Sequence, residues 1–358
     1  MSASLRVGEL MGWRRPNLYA VAGLVVALVL LPLVWRNPYI IELAITTLIW
    51  ATLNQSWNLQ LGVGGIWNFA QLAIFAVGGY AAALLSVHAG LDPWLSLPAG
   101  GFAAAALAVV IGVPTLRLRG IYAALLTFSF GEVIRLLIIS DESGFTGGTF
   151  GLSGVPGLGF EGMSPAAAQR ASYWAALGLA VLTAVAVYVF IHSPLGASLT
   201  ALRDAPGYAA SRGVSPFRLQ VITFACSAFI AGVAGAFSAQ YFQVISPCVM
   251  GLAPMSLFVA MLVVGGLGTF SGPLVGTVLI MAISEWLRDA EQLRLVIVGG
   301  ILLGMVVFAP RGLVPVLGAR WRRLSRWLAE DERGEPPAPG APSDGGVDPP
   351  VGVGTEER

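Results

Sequence analysis

The sequence predicts an all-α, polytopic helical membrane protein of about ten transmembrane helices. Three observations carry this. The chain of 358 residues is 56% hydrophobic with a mean hydropathy of +0.78, too apolar for a water-soluble domain. Only 11% of residues are charged, and they punctuate long apolar runs that approach the ~20 residues a bilayer-crossing helix needs. The runs do not alternate apolar with polar residues, as strands of a closed barrel must.

Breaks at charge and turn clusters place spans near residues 18–35, 39–60, 67–88, 94–114, 120–140, 172–192, 218–242, 253–268, 272–288 and 294–309. The first follows Arg14 and Arg15 as a signal peptide would. It shows no small-residue cleavage site before Trp35-Arg36-Asn37-Pro38, so it reads as an uncleaved span after an N-terminal segment 1–17. The eighth and ninth spans are short and separated only by "GGLGTFSGP", so half-helices or re-entrant segments are open alternatives there. The transmembrane region is thus 18–313, followed by a basic juxtamembrane segment 314–329. Residues 330–358 hold eight acids, two arginines and many Pro and Gly, a composition that cannot bury enough apolar surface to order itself.

Arginine placement orients the chain. With the N-terminus inside, Arg6, Arg14, Arg15, Arg117, Arg119, Arg203, Arg212, Arg218, Arg311, Arg320, Arg322, Arg323 and Arg326 are cytoplasmic; Arg36, Arg170, Arg288 and Arg294 are outside. Thirteen against four favours both termini inside, which an even span count requires. The 141–171 loop is then external and the 193–217 loop cytoplasmic.

Several chemistries are excluded. The 20 basic residues are all arginine, and a P-loop needs its lysine at the phosphates, so the chain is no Walker-type ATPase. No HExxH, Cys/His metal spacing or paired-carboxylate motif occurs, so no catalytic or metal site, cofactor or nucleic-acid partner is expected. Cys226 and Cys248 fall at different depths and read as unpaired.

Glycines at 232 and 235 read as small residues for close helix packing. In "GVGGIWNFA" and "GGLGTFSGP" the glycines lie beside Asn68, Gln71, Thr269, Ser271 and Pro273, and read as helix breaks. The candidate substrate path is therefore Asn58, Gly62, Gly65, Asn68, Gln71, Gly265, Gly266 and Thr269. Charges inside spans are few. Glu132 and Arg135 share a helix face and are placed to pair, roughly 20 Å along the helix from Arg119. A structural pair and a proton relay are both open readings of Glu132. Glu42, Glu285, His88 and His192 lie near span ends.

The 193–217 loop, "SPLGASLTALRDAPGYAASRGVSPF", is small, polar and Arg-bearing, with an Ala-rich middle suited to a helix that Pro206 and Gly207 shorten or interrupt. A connector that binds nothing is the plain alternative.

The residues also resemble a known family, the LivM/LivH-type permease subunits of ABC importers for branched-chain amino acids. "NLQLGVGGIWNFAQLAIFAVGGYAAALL" (58–85) is similar to its N-L-x-x-G-x-x-G run through Asn58, Leu59, Gly62, Gly65, Phe75, Gly78 and Tyr80. "RLRGIYAALLTFSFGEVIRLL" (117–137), "TGGTFGLSGVPG" (146–157), the block 193–236, "VVGGLGTFSGPLVG" (263–276) and "FAPRGL" (308–313) follow in the family's order. The resemblance implies a translocation subunit in a bacterial cytoplasmic (inner) membrane. It implies a second homologous permease, two ATP-binding subunits that use ATP and magnesium, an external solute-binding protein, and surrounding lipid. It makes Ala201, Arg203, Ala209, Ala210 and Gly213 part of a coupling helix that docks on an ATP-binding subunit. Asn68, Ala70 and Ala197 stand where the family usually has Ser, Gly and Arg, and the first two bear on substrate choice. A urea or short-amide permease, an ion-coupled carrier using Glu132, a channel and a membrane assembly protein remain alternatives.

Overall fold

The computed structural model describes residues 37–118, 120–160, 162–288, 291–308 and 312–314. The expected segment 1–17, the first span at 18–35, residues 315–329 and the 330–358 tail lie outside the described residues. Eleven α-helices are described: α1 Pro38–Asn58, α2 Gln71–Ala89, α3 Pro93–Thr115, α4 Ile121–Ile139, α5 Pro165–His192, α6 Pro194–Asp204, α7 Pro206–Ser211, α8 Pro216–Phe242, α9 Leu252–Gly265, α10 Gly272–Trp286 and α11 Glu291–Phe308.

Five of them (α2, α3, α4, α5 and α8) are long and apolar enough to cross a bilayer. At 21 residues α1 also has the length, but its second half carries Thr52, Asn54, Gln55, Ser56 and Asn58. Helices α9 and α10, with 14 and 15 residues, are only about 21–22 Å long, short of a ~30 Å hydrocarbon core. They are complete short helices on either side of an irregular turn.

Start signals match local chemistry. Asn37 and Asp92 accept from the backbone N–H of Tyr39 and Trp94 at the head of α1 and α3, and proline occupies the first turn of both. Helix α5 begins at Pro165, seven residues before the span expected from residue 172, because an Ala-rich turn continues the helix past the apolar run. The 193–217 loop folds into α6 and α7, interrupted at Ala205, whose φ of −144° breaks the helix ahead of Pro206.

The centre is α8, packed against α3, α2 and α1. The packing is backbone on backbone: a Cβ at Gly78 would overlap Gly232, one at Gly100 the Gly78 carbonyl, and one at Gly235 the Phe75 carbonyl. This is the close approach that small residues permit in membranes, where no water-driven force pulls helices together. Around it Trp57 stacks on Phe258 with ring centres 4.5 Å apart and meets Phe69 edge-on at 5.8 Å.

The loop after α4 is tied down by β1 (Leu152–Ser153), which pairs antiparallel with β2 (Val244–Ile245) just past α8. Asp141 folds the loop start: its carboxylate accepts from the Ser143 and Thr146 hydroxyls and from their N–H groups at 3.0 and 2.6 Å. Those bonds, the Ser143 hydroxyl first and the Thr146 hydroxyl next, hold the carboxyl well below the usual aspartate range.

Candidate functional site

Both expected helix breaks exist, and they touch. After α1 the chain widens into a π-turn, Leu59–Val63, reverses through Gly65 at φ +64°, and runs irregularly to α2. Between α9 and α10 it breaks at Gly266 and Gly268, with φ of 118° and 73°. A side chain on Gly62 would run into the backbone of Gly268. Asn58 bridges the two: its Nδ2 donates to the Thr269 carbonyl and its Oδ1 accepts from Gly268 N–H, both at 2.9 Å. Thr269 closes the second break by donating to the Gly266 carbonyl at 2.9 Å and accepting from Gly272 N–H at 3.1 Å.

Irregular backbone at membrane depth has to be re-satisfied by neighbours. In the first break the Trp57 indole donates to the Asn68 carbonyl at 2.6 Å, and Phe69 N–H donates to the Thr127 hydroxyl of α4 at 3.0 Å. Asn68 accepts from Ala70 N–H at 2.9 Å, closing the turn into α2.

A second, deeper cluster surrounds Asn68 and Gln71, both fully buried. Asn68 donates to Gln60 Oε1 at 2.8 Å and to Gln71 Oε1 at 3.0 Å. Gln71 donates to Ser56 at 3.0 Å and Ser227 at 3.3 Å, and Ser227 donates to the Ser56 carbonyl at 2.6 Å. Five polar side chains from α1, the break, α2 and α8 thus close on one another. Beside them on α1, Gln55 is 1% exposed with neither amide atom paired.

The expected coupling residues divide. Ala201, Ala210 and Gly213 are exposed, whereas Ala209 is buried with Leu199, Leu202 and Leu219 against Leu59 and Val63 of the π-turn. Arg203 turns inward. Its Nη1 donates to the Gly62 carbonyl at 2.6 Å, while its Nε donates to Asp204 at 2.9 Å. A Cβ on Gly65 would lie 2.8 Å from Arg203 Cγ, so glycine there makes room for the arginine. One side chain of α6 therefore grips the first break where it touches the second.

Of the expected path residues, Asn58, Gly62, Gly266 and Thr269 meet at this junction, with Gly65 beside Arg203. Asn68 and Gln71 form the deeper cluster, and Gly265 packs under Gly272, where a side chain would overlap the Gly272 carbonyl. Glu132 and Arg135 form the expected pair within α4. Sequence reasoning missed Gln60, Ser56, Gln55, Ser227 and Thr127. The polar run "NQSWNLQ" inside an apolar span was a signal for the first three; a single Ser or Thr in a span carries none.

The family described as "Branched-chain amino acid transport system / permease component" matches residues 39–309, which covers both breaks and α6. The high-affinity branched-chain amino acid transport permease LivM of Escherichia coli K12 is 30% identical over 318 residues, 81% of this chain and 74% of that protein. Its Salmonella typhimurium LT2 counterpart is 30% identical over 324 residues, 84% of this chain and 76% of that one. LivH of Escherichia coli K12 is 26% identical over 288 residues, 74% of this chain and 91% of that protein. No solved structure matches. With the match spanning most of the chain and its apolar helices, this multi-pass membrane protein belongs to the branched-chain amino acid transport permease family.

Proposed function

We propose that the chain is a translocation subunit of an ATP-driven importer for branched-chain amino acids in a bacterial cytoplasmic membrane, with both termini cytoplasmic. A second homologous permease completes the pathway; two separate subunits bind ATP and magnesium, and an external protein delivers the solute. The observation that carries the reading is the bond from Arg203 of α6 to the Gly62 carbonyl. A short helix outside the long spans thereby holds the junction of two broken helices, so displacing α6 displaces the breaks. ATP binding in a partner would move α6 through its exposed Ala201, Ala210 and Gly213 face, and the breaks would convert that motion into alternating access.

The ion-coupled alternative asks Glu132 to carry protons. Its carboxylate is instead engaged by the Arg135 guanidinium through both oxygens, the geometry of an ion pair within one helix. Purification in mild detergent from native membranes, with mass spectrometry of bound proteins, tests the assembly. A P-loop ATPase and a second permease should co-purify, and Ala210→Glu on the exposed face should release the ATPase. A chain that purifies alone, and transports under an ion gradient, refutes the reading.

A further inference from the structure

The ion pair on α4 is not explained by packing. Arg135 Nε donates to both Glu132 carboxylate oxygens at 3.0 Å, yet 38% of the Glu132 side chain and 29% of Arg135 stay exposed. Of the five long apolar helices, α4 is the least buried, at 17% of its apolar window, and its neighbouring exposed side chains include Leu125, Val133, Leu136 and Leu137. Charges within a membrane-crossing helix are costly, and an apolar pair of similar size would serve a purely structural helix better.

Glu132, whose ion-pair partner Arg135 follows one turn along α4, borders a crevice between α4, the end of the first break, the start of α2 and the start of α9, formed with Phe69, Leu72, Phe128, Met250 and Met255. Every other one of these side chains is apolar, and two are flexible methionines that adapt to varied aliphatic shapes. The crevice holds about 10 Å³, room for one water at most. Helix α4 is tied to the break beside it by the Phe69 N–H to Thr127 bond, so movement of the break and opening of the crevice are linked.

We propose that Glu132 and Arg135 form the polar half of a binding site for a zwitterionic, aliphatic α-amino acid. The Glu132 carboxylate takes the ammonium group, the Arg135 guanidinium takes the carboxylate, and Phe69, Phe128, Met250 and Met255 receive the side chain. Net charge is unchanged: one internal ion pair is exchanged for two with the solute. This rests on the reading of the chain as an amino-acid permease and assigns its recognition to α4.

The test is saturable binding of labelled L-leucine to the complete purified transporter in nanodiscs without the external solute-binding protein. Leucinamide, which lacks the carboxylate, and 4-methylpentanoate, which lacks the ammonium, serve as competitors. Glu132→Gln should weaken leucine about tenfold or more and leave 4-methylpentanoate as tight or tighter, because Arg135 is then free of its internal partner. Arg135→Gln should weaken leucine similarly and leave leucinamide as tight or tighter, because Glu132 is then free. The exchanged pair, Glu132→Arg with Arg135→Glu, restores an internal ion pair but places each charge against the wrong end of the solute, so leucine binding should stay weak. Parallel shifts for all three compounds, or full rescue by the exchange, would show a structural pair and overturn the site. Absence of leucine binding by the wild-type complex overturns it too. The permease reading then stands or falls separately, on ATP-dependent uptake.

Discussion

Removing the Arg203 guanidinium should uncouple ATP hydrolysis from transport without unfolding the subunit. Its bond to the Gly62 carbonyl is 2.6 Å long, and a hydrogen bond to a charged donor is worth ~1.5–3 kcal/mol. The side chain is 30% exposed, so screening takes the value toward the lower end, about 1.5 kcal/mol. If the bond exists in only one of the two access states, its loss shifts their balance about tenfold. Arg203→Gln, reconstituted with all partner subunits, should therefore hydrolyse ATP near the wild-type rate while leucine uptake per ATP falls about tenfold. Arg203→Lys keeps a charge that reaches one acceptor, not two, and should fall between. Gly65→Ala attacks the same contact from the other side, because its Cβ would sit 2.8 Å from Arg203 Cγ on a backbone with φ +64°. It should reproduce the uncoupling. Unchanged uptake per ATP in Arg203→Gln, at normal folded yield, would refute the reasoning.

Two further outcomes follow from the packing and the loop. Gly235→Ala would press a methyl into the Phe75 carbonyl between α8 and α2, an overpacking cost of at least ~1–3 kcal/mol. Thermal unfolding in detergent should drop by several degrees, and an unchanged midpoint would contradict the described helix crossing. The Asp141 carboxyl is depressed below its ordinary value of about 4, so its ordering of the loop is complete above that pH. It is lost as pH falls through the folded-state value. Hydrogen exchange at Thr146, corrected for intrinsic rates, should be flat from pH 7 to 5 and lose protection only in stronger acid; in Asp141→Asn the acid dependence should vanish.

Among the described residues, the places of the helices were largely legible because apolar length and Gly/Pro punctuation act locally; of the ten expected spans, five are long and apolar enough to cross, and the one at 18–35 lies outside the described residues. The residues closing each break were legible too, since glycine beside Asn, Gln or Thr inside an apolar run has few other uses. The partnerships were not. Arg203 and Gly62 lie 141 residues apart, and Asn58 and Thr269 lie 211 apart, so nothing near either residue announces the other. The inward turn of Ala209 was hidden for a related reason. In a small Ala-rich helix every face looks alike until Leu199 and Leu202 choose one.

Partner-bound ATP is proposed to drive amino-acid movement through this chain. Its most direct test is uptake of labelled L-leucine by proteoliposomes holding the complete complex, with and without ATP and with and without proton or sodium gradients. Uptake should require ATP hydrolysis and ignore both gradients. Uptake driven by a gradient without ATP, or flux that needs neither, would contradict it.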